Sequence, residues 1–151
     1  MVRENIYAAV FAFFSNLTLG SEPLFRTATR KPRTWEQVPK EDQPALLMVE
    51  RSEVAEPRRA LPTRWTFNLD LLLYVHTGAQ TDTDVTPASL LNPLLDAIEA
   101  AIVIDGETVY QRATLGDIVN YCAIEGTVEK HLGSLGDDAV AIVPLVVRVS
   151  A

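Results

Sequence analysis

Between Arg64 and Thr77 the chain reads RWTFNLDLLLYVHT, a run of strict alternation. Trp65, Phe67, Leu69, Leu71, Leu73 and Val75 fall on one face of an extended strand; Thr66, Asn68, Asp70, Leu72, Tyr74 and His76 fall on the other. Period two over that length argues against a helix, whose apolar residues recur every three to four positions. It commits the chain to a sheet with one well-buried face. The final segment, GDDAVAIVPLVVRVSA, tightens the constraint. Ala139, Ala141, Val143, Leu145, Val147 and Val149 share one face, while Val140, Ile142 and Val146 share the other. A strand that is apolar on both faces needs cover on both.

Helices supply cover for one face. Ile6, Val10, Phe13 and Leu17, with Ala9 and Phe14 beside them, form a helical stripe that Gly20 and Pro23 end. A second helix starts where Thr86 stands as N-cap before Pro87; Leu91, Leu94, Leu95, Ile98 and Ile102 form its stripe, and Asp105-Gly106 ends it. The Asn92-Pro93 pair makes it either a short turn followed by the main helix or one helix kinked at Pro93. Further strands are expected at Phe25–Thr29, with Arg26, Ala28 and Arg30 on one face, at about 44–50, and at 122–129. The charged, proline-flanked stretch RSEVAEPRRALP, at about 51–62, reads as an exposed, mobile hairpin arm. The order α-β-β-β-α-β-β predicts a single α+β domain over 1–151: a mostly antiparallel sheet of about five strands with two helices packed on one face. The opposite face is then left to curl inward or to be covered by a neighbouring subunit.

At 151 residues the chain is one ordinary domain, with 48% hydrophobic and 22% charged residues, enough to hold its own core. A formal net charge of −7 argues against nonspecific attraction to nucleic acid or anionic membrane. The single cysteine, Cys122, permits no internal disulfide or cysteine-based zinc site, and fits a reducing compartment. The first residues lack the basic start of a secretory leader, and no apolar run reaches the ~18–20 residues of a membrane span. The expectation is a soluble protein made in the cytoplasm.

Several stretches, in this order, carry a resemblance: FRTATRKPRTWEQVPKEDQPALLMVERSE, LDLLLYVHT, TPASLLNPLLDAIEAAI, TLGDIVNYCAIEGTVEK and LGDDAVAIVPLVVRVS. Together they resemble the tail terminator proteins of long-tailed bacteriophages, including the lambda-type minor tail protein that closes the tail tube. None is a catalytic signature. The resemblance implies a homo-oligomeric ring, a hexamer in that family, at the head-proximal end of the tail tube. Such a ring stops tube polymerisation, receives the head-tail connector proteins and lets DNA pass through its hole without specific binding. It implies a virion component that needs no enzyme activity, metal or cofactor. A head-completion or head-tail joining (neck) protein is the alternative reading. Glu50, Glu53, Glu56, Asp82 and Asp84 are candidate acids for the lining of the hole, on the view that loops carry them.

Candidate chemistry is sparse. His76 and His131 lie at strand ends without a nucleophile motif. Cys122 reads as a buried, inert thiol. TDTDVT lacks the glycine and distal glutamate of a calcium loop, and the GDD at 136–138 reads as a turn. A small metal-dependent hydrolase is therefore the weakest reading. The charges of interest are basic: Arg26, Arg30, Lys31 and Arg33 around Trp35, and the pair Arg58 and Arg59. Arg30, Arg33, Trp35, Arg58 and Arg59, with Ile142 and Val146 on the second face of the last strand, are the expected interface residues.

Overall fold

The computed structural model describes residues 1–77, 86–105, 113–135 and 138–150. Helix α1 (Arg3–Ser15) buries Ile6, Tyr7, Val10 and Phe14 along one stripe. A two-stranded ribbon follows, β1 (Thr18–Leu19) against β2 (Glu22–Pro23), turned at Gly20, whose φ of 65° suits glycine. Strand β3 (Thr27–Thr29) precedes two single 3-10 turns, Trp35–Gln37 and Lys40–Asp42. Then come β4 (Ala45–Arg58), β5 (Leu61–His76), α2 (Pro87–Asp105), β6 (Tyr121–Ile124), β7 (Glu129–Leu135) and β8 (Asp138–Ser150). The main sheet has the order β3-β4-β5-β8-β6, with β7 also on β8; β3 and β4 are parallel and every other pair is antiparallel. The fold is α+β, a mostly antiparallel sheet with two helices on one face.

Register explains where the core sits. Phe67 stands opposite Val147, Leu69 opposite Leu145, Leu71 opposite Val143 and Leu73 opposite Ala141. Leu46 and Met48 of β4 continue these rows, opposite Leu73 and Leu71. All of these join one buried cluster with Ile6, Val10 and Phe14 of α1 and Leu91, Leu94, Ile98 and Ile102 of α2. The alternation of β5 is therefore the alternation of the whole sheet. At the start of α2, Thr86 accepts from the Ser89 backbone N–H at 3.1 Å, and Ser89 Oγ accepts from the Thr86 N–H at 3.0 Å. This reciprocal cap leaves Pro87 at the first helical position, where its missing N–H costs nothing. The helix then runs through Pro93 as one element.

Three expectations are corrected. The first strand contracts to Thr27–Thr29, because Phe25 is already committed to the core. The second strand reaches Arg58 rather than ending near Glu50; β-bulges between Glu50 and Ser52 and between Glu56 and Arg58 let it stay paired to β5. The expected arm at 51–62 is thus the far half of a regular hairpin, closed by Arg59 and Ala60, and Arg51–Pro57 are all exposed. The fourth strand is split into β6 and β7. Gly126, between them, has φ 123°, and a Cβ there would lie 3.2 Å from Pro144 Cγ. Pro144 offers β8 no N–H to donate, and its carbonyl instead accepts from Glu125 at 3.2 Å.

β8 is consequently an inner strand, flanked by β5 and by β6 and β7. Its helix-side face lies in the core. On the second face its beginning is covered by the chain itself: Val38 packs with Ala45, Leu47, Tyr74 and Val140. Farther along, Ile142 and Pro144 are half-buried and Val146 is 9% exposed, with Gly126 lying against Pro144.

Candidate interface surfaces

At the bulged end of β4, two carboxylates replace core residues on the helix face. Glu50 stands opposite Leu69 and Glu53 opposite Phe67, at the level of the first turn of α1. Arg3 Nε lies 2.6 Å from Glu53 Oε2, and Tyr7 donates its hydroxyl to Glu53 Oε1 at 2.9 Å. Arg30 bridges Glu4 of α1 and Glu50 of β4, at 2.7 Å from the latter. Its guanidinium lies 5.8 Å from the Tyr7 ring, while that of Arg3 sits 4.5 Å over Trp65. The pairing with Arg30 lowers the Glu4 carboxyl below its ordinary range. Burial raises that of Glu53, but the hydrogen bonds from Arg3 and Tyr7 outweigh it and the net shift is downward. Tyr7 is pushed up, first by burial and then by Glu53. Arg30 is therefore a clasp between α1, β3 and β4, not a free docking charge. Glu50, Glu53 and Glu56 lie on a strand rather than a loop, and all three have cations of their own chain. Asp82 and Asp84 lie outside the described residues.

The hairpin end is braced from within. Arg58 donates to the Pro62 carbonyl at 3.0 and 2.6 Å and to Ser150 Oγ at 3.1 Å, tying the turn to the last residues of β8. With Arg58 so occupied, Arg59 and Leu61 point to solvent, Leu61 at 60% exposure. Ala60 closes the turn at φ 60°. Arg33 is exposed, and its backbone carbonyl accepts from the Tyr74 hydroxyl at 3.5 Å. Trp35 opens a 3-10 turn; its side chain lies outside the described positions.

The second sheet face is apolar at its middle and ion-paired toward the hairpin. Leu72, Ile142 and Pro144 are half-buried and Val146 is 9% exposed. Around them Arg51 lies 3.4 Å from Asp70, Arg64 3.6 Å from Glu56 and Arg148 3.0 Å from Glu125. Arg148 also stacks 4.7 Å from the Tyr121 ring. At the other end His76 Nδ1 is 2.9 Å from Asp138 Oδ1, and Gln43, buried under Val38, donates to the Val38 carbonyl at 3.0 Å. His131 is exposed, 3.9 Å from Glu129, and Cys122 is fully buried. Among the described residues no group of three His, Cys, Asp or Glu side chains is placed to hold a metal ion. No helix there is long and apolar enough to cross a membrane.

One concave surface was missed in the sequence. Where β6 gives way to β7, a groove of about 410 Å³ opens against α2. Leu95, Ile102, Ile124 and Val128 line it, with Asp96 and Glu99 at its rim. Lys130 lies there too, donating to Asn92 at 2.8 Å. Leu95, on the shoulder of the α2 stripe, was the visible signal; the break opposite Pro144 that opens the groove was not. No known family model matches the chain, and no curated protein matches it.

Proposed function

We propose that the chain is a structural subunit of a phage tail terminator ring, acting at the head-proximal end of the tail tube. The observation that carries this reading is the outer half of β4. From Arg51 to Pro57 it stays paired to β5 between two bulges while every residue is exposed, with Glu53 reaching across to α1. A strand normally forms because one of its faces is covered. Here the cover is supplied by the next subunit.

Two further features agree. The apolar middle of the second sheet face, Leu72, Ile142, Pro144 and Val146, adjoins a rim of satisfied ion pairs, the arrangement of an interface core and its polar border. The charge of −7 gives a ring through which DNA slides without being held by its phosphates. Termination is steric: a ring seated on the tube end covers the surface to which the next tube subunit adds. Arg33 and Arg59, exposed at two separate turns, are the charges left for contact with a tube rim or a sister copy.

The test is direct. Purified chain is mixed with growing tail tubes, and the tube ends are imaged by electron microscopy. Density at one end and arrested elongation are expected. Binding to the head connector with no effect on tube growth would instead favour a neck protein.

A further inference from the structure

We infer that the hairpin end of one copy seats in the groove between α2 and the β6–β7 break of the next, and that this contact builds the ring. The inference rests on the ring reading above. Three observations lead to it. First, the two surfaces match in chemistry. The groove floor is apolar; Asp96 and Glu99 stand around it and make no ion pair among the described residues, while the Lys130 ammonium is held by Asn92. The hairpin end presents Leu61, 60% exposed, beside Arg59, which likewise makes no ion pair there. Second, the sizes match. A groove of about 410 Å³ takes a leucine side chain with part of its turn. Third, the hairpin end is already fixed by the Arg58 hydrogen bonds to Pro62 and Ser150, so little ordering is needed on docking.

Their placement sets the symmetry. The hairpin is made by β4 and β5, while the groove lies past β8, beside β6 and β7 at the other edge of the sheet. A contact between two different patches is heterologous. It propagates head to tail and closes when the rotation per subunit allows. Each copy offers one hairpin end and one groove, so a closed ring leaves none unused.

Charge reversal with mixing tests this. Arg59→Glu is one variant and the pair Asp96→Lys with Glu99→Lys is the other; all three sites are exposed, so each chain folds. Light scattering over a concentration series follows assembly. Each variant alone is expected to need about ten-fold or more higher concentration than the wild type to assemble. An equimolar mixture is expected to recover assembly, because each reversed hairpin end then finds a reversed groove. Rings formed equally well by wild type and both variants would overturn the hairpin-groove contact and leave the ring reading standing. Loss of assembly in both variants without recovery on mixing would overturn it too, giving the groove to another partner. A wild-type chain that stays monomeric and leaves tube ends uncapped would overturn both readings.

Discussion

Arg30 shows how far a side chain's meaning depends on its tertiary neighbours. Beside Arg26, Lys31 and Arg33 it reads as one member of a basic patch. In the fold it neutralises Glu4 and Glu50, contributed by two other elements. Replacing it with alanine leaves those two carboxylates facing one another, and α1 should loosen from the sheet. Faster hydrogen exchange in α1 than in the wild type is the expected outcome. The same junction sets a pH dependence. Glu4 and Glu53 have native pKa values below the ordinary 4.5, so the stability they contribute is present above about 4.5 and lost as pH falls through the lowered values. Tyr7 has its value raised, so its contribution is present below about 10 and is lost as the pH rises further. Denaturant unfolding at a series of pH values should therefore show stability falling on both sides of that window. Core residues were easier to read. Phe67, fully buried and edge-on to Tyr7 at 5.5 Å, sits on the face that alternation assigned to it. Phe67→Ala should cost about 3–5 kcal/mol in the same unfolding measurement.

Elements were legible where burial imposes a period. β5, the stripe of α2 and its Thr86-Pro87 start follow from spacing and capping alone; α1 was legible in its Ile6-Val10 seam but ends at Ser15, before Leu17, and buries Tyr7 and Phe14 while Phe13 is half-buried. The far half of β4 has no such pattern, since residues exposed on both faces have no reason to alternate; its strand geometry comes from pairing with β5 across two bulges. The split between β6 and β7 was hidden for another reason. It depends on Gly126 lying over Pro144, a contact between residues that meet only once β8 is in register. Gly126→Ala places a Cβ 3.2 Å from Pro144 Cγ at a φ of 123°, and should cost about 2 kcal/mol. A matched fall in the urea midpoint with an unchanged slope would verify that estimate.

At the scale of the whole molecule, the apolar second face of the last strand resolves into two parts. Its beginning is closed by Val38 of the same chain, clustered with Ala45, Leu47, Tyr74 and Val140. Its later part, where Ile142 and Pro144 are half-buried and Val146 is 9% exposed, lies beside a hairpin whose outer strand is exposed from Arg51 to Pro57. That leftover surface, more than any single residue, is the reason to expect sister copies. Native mass spectrometry of the purified full chain on a concentration series tests this most directly. The account predicts one closed oligomer of fixed subunit number appearing from monomer as concentration rises. Monomer alone up to the limit of solubility, or an open-ended ladder of sizes with none favoured, would contradict it.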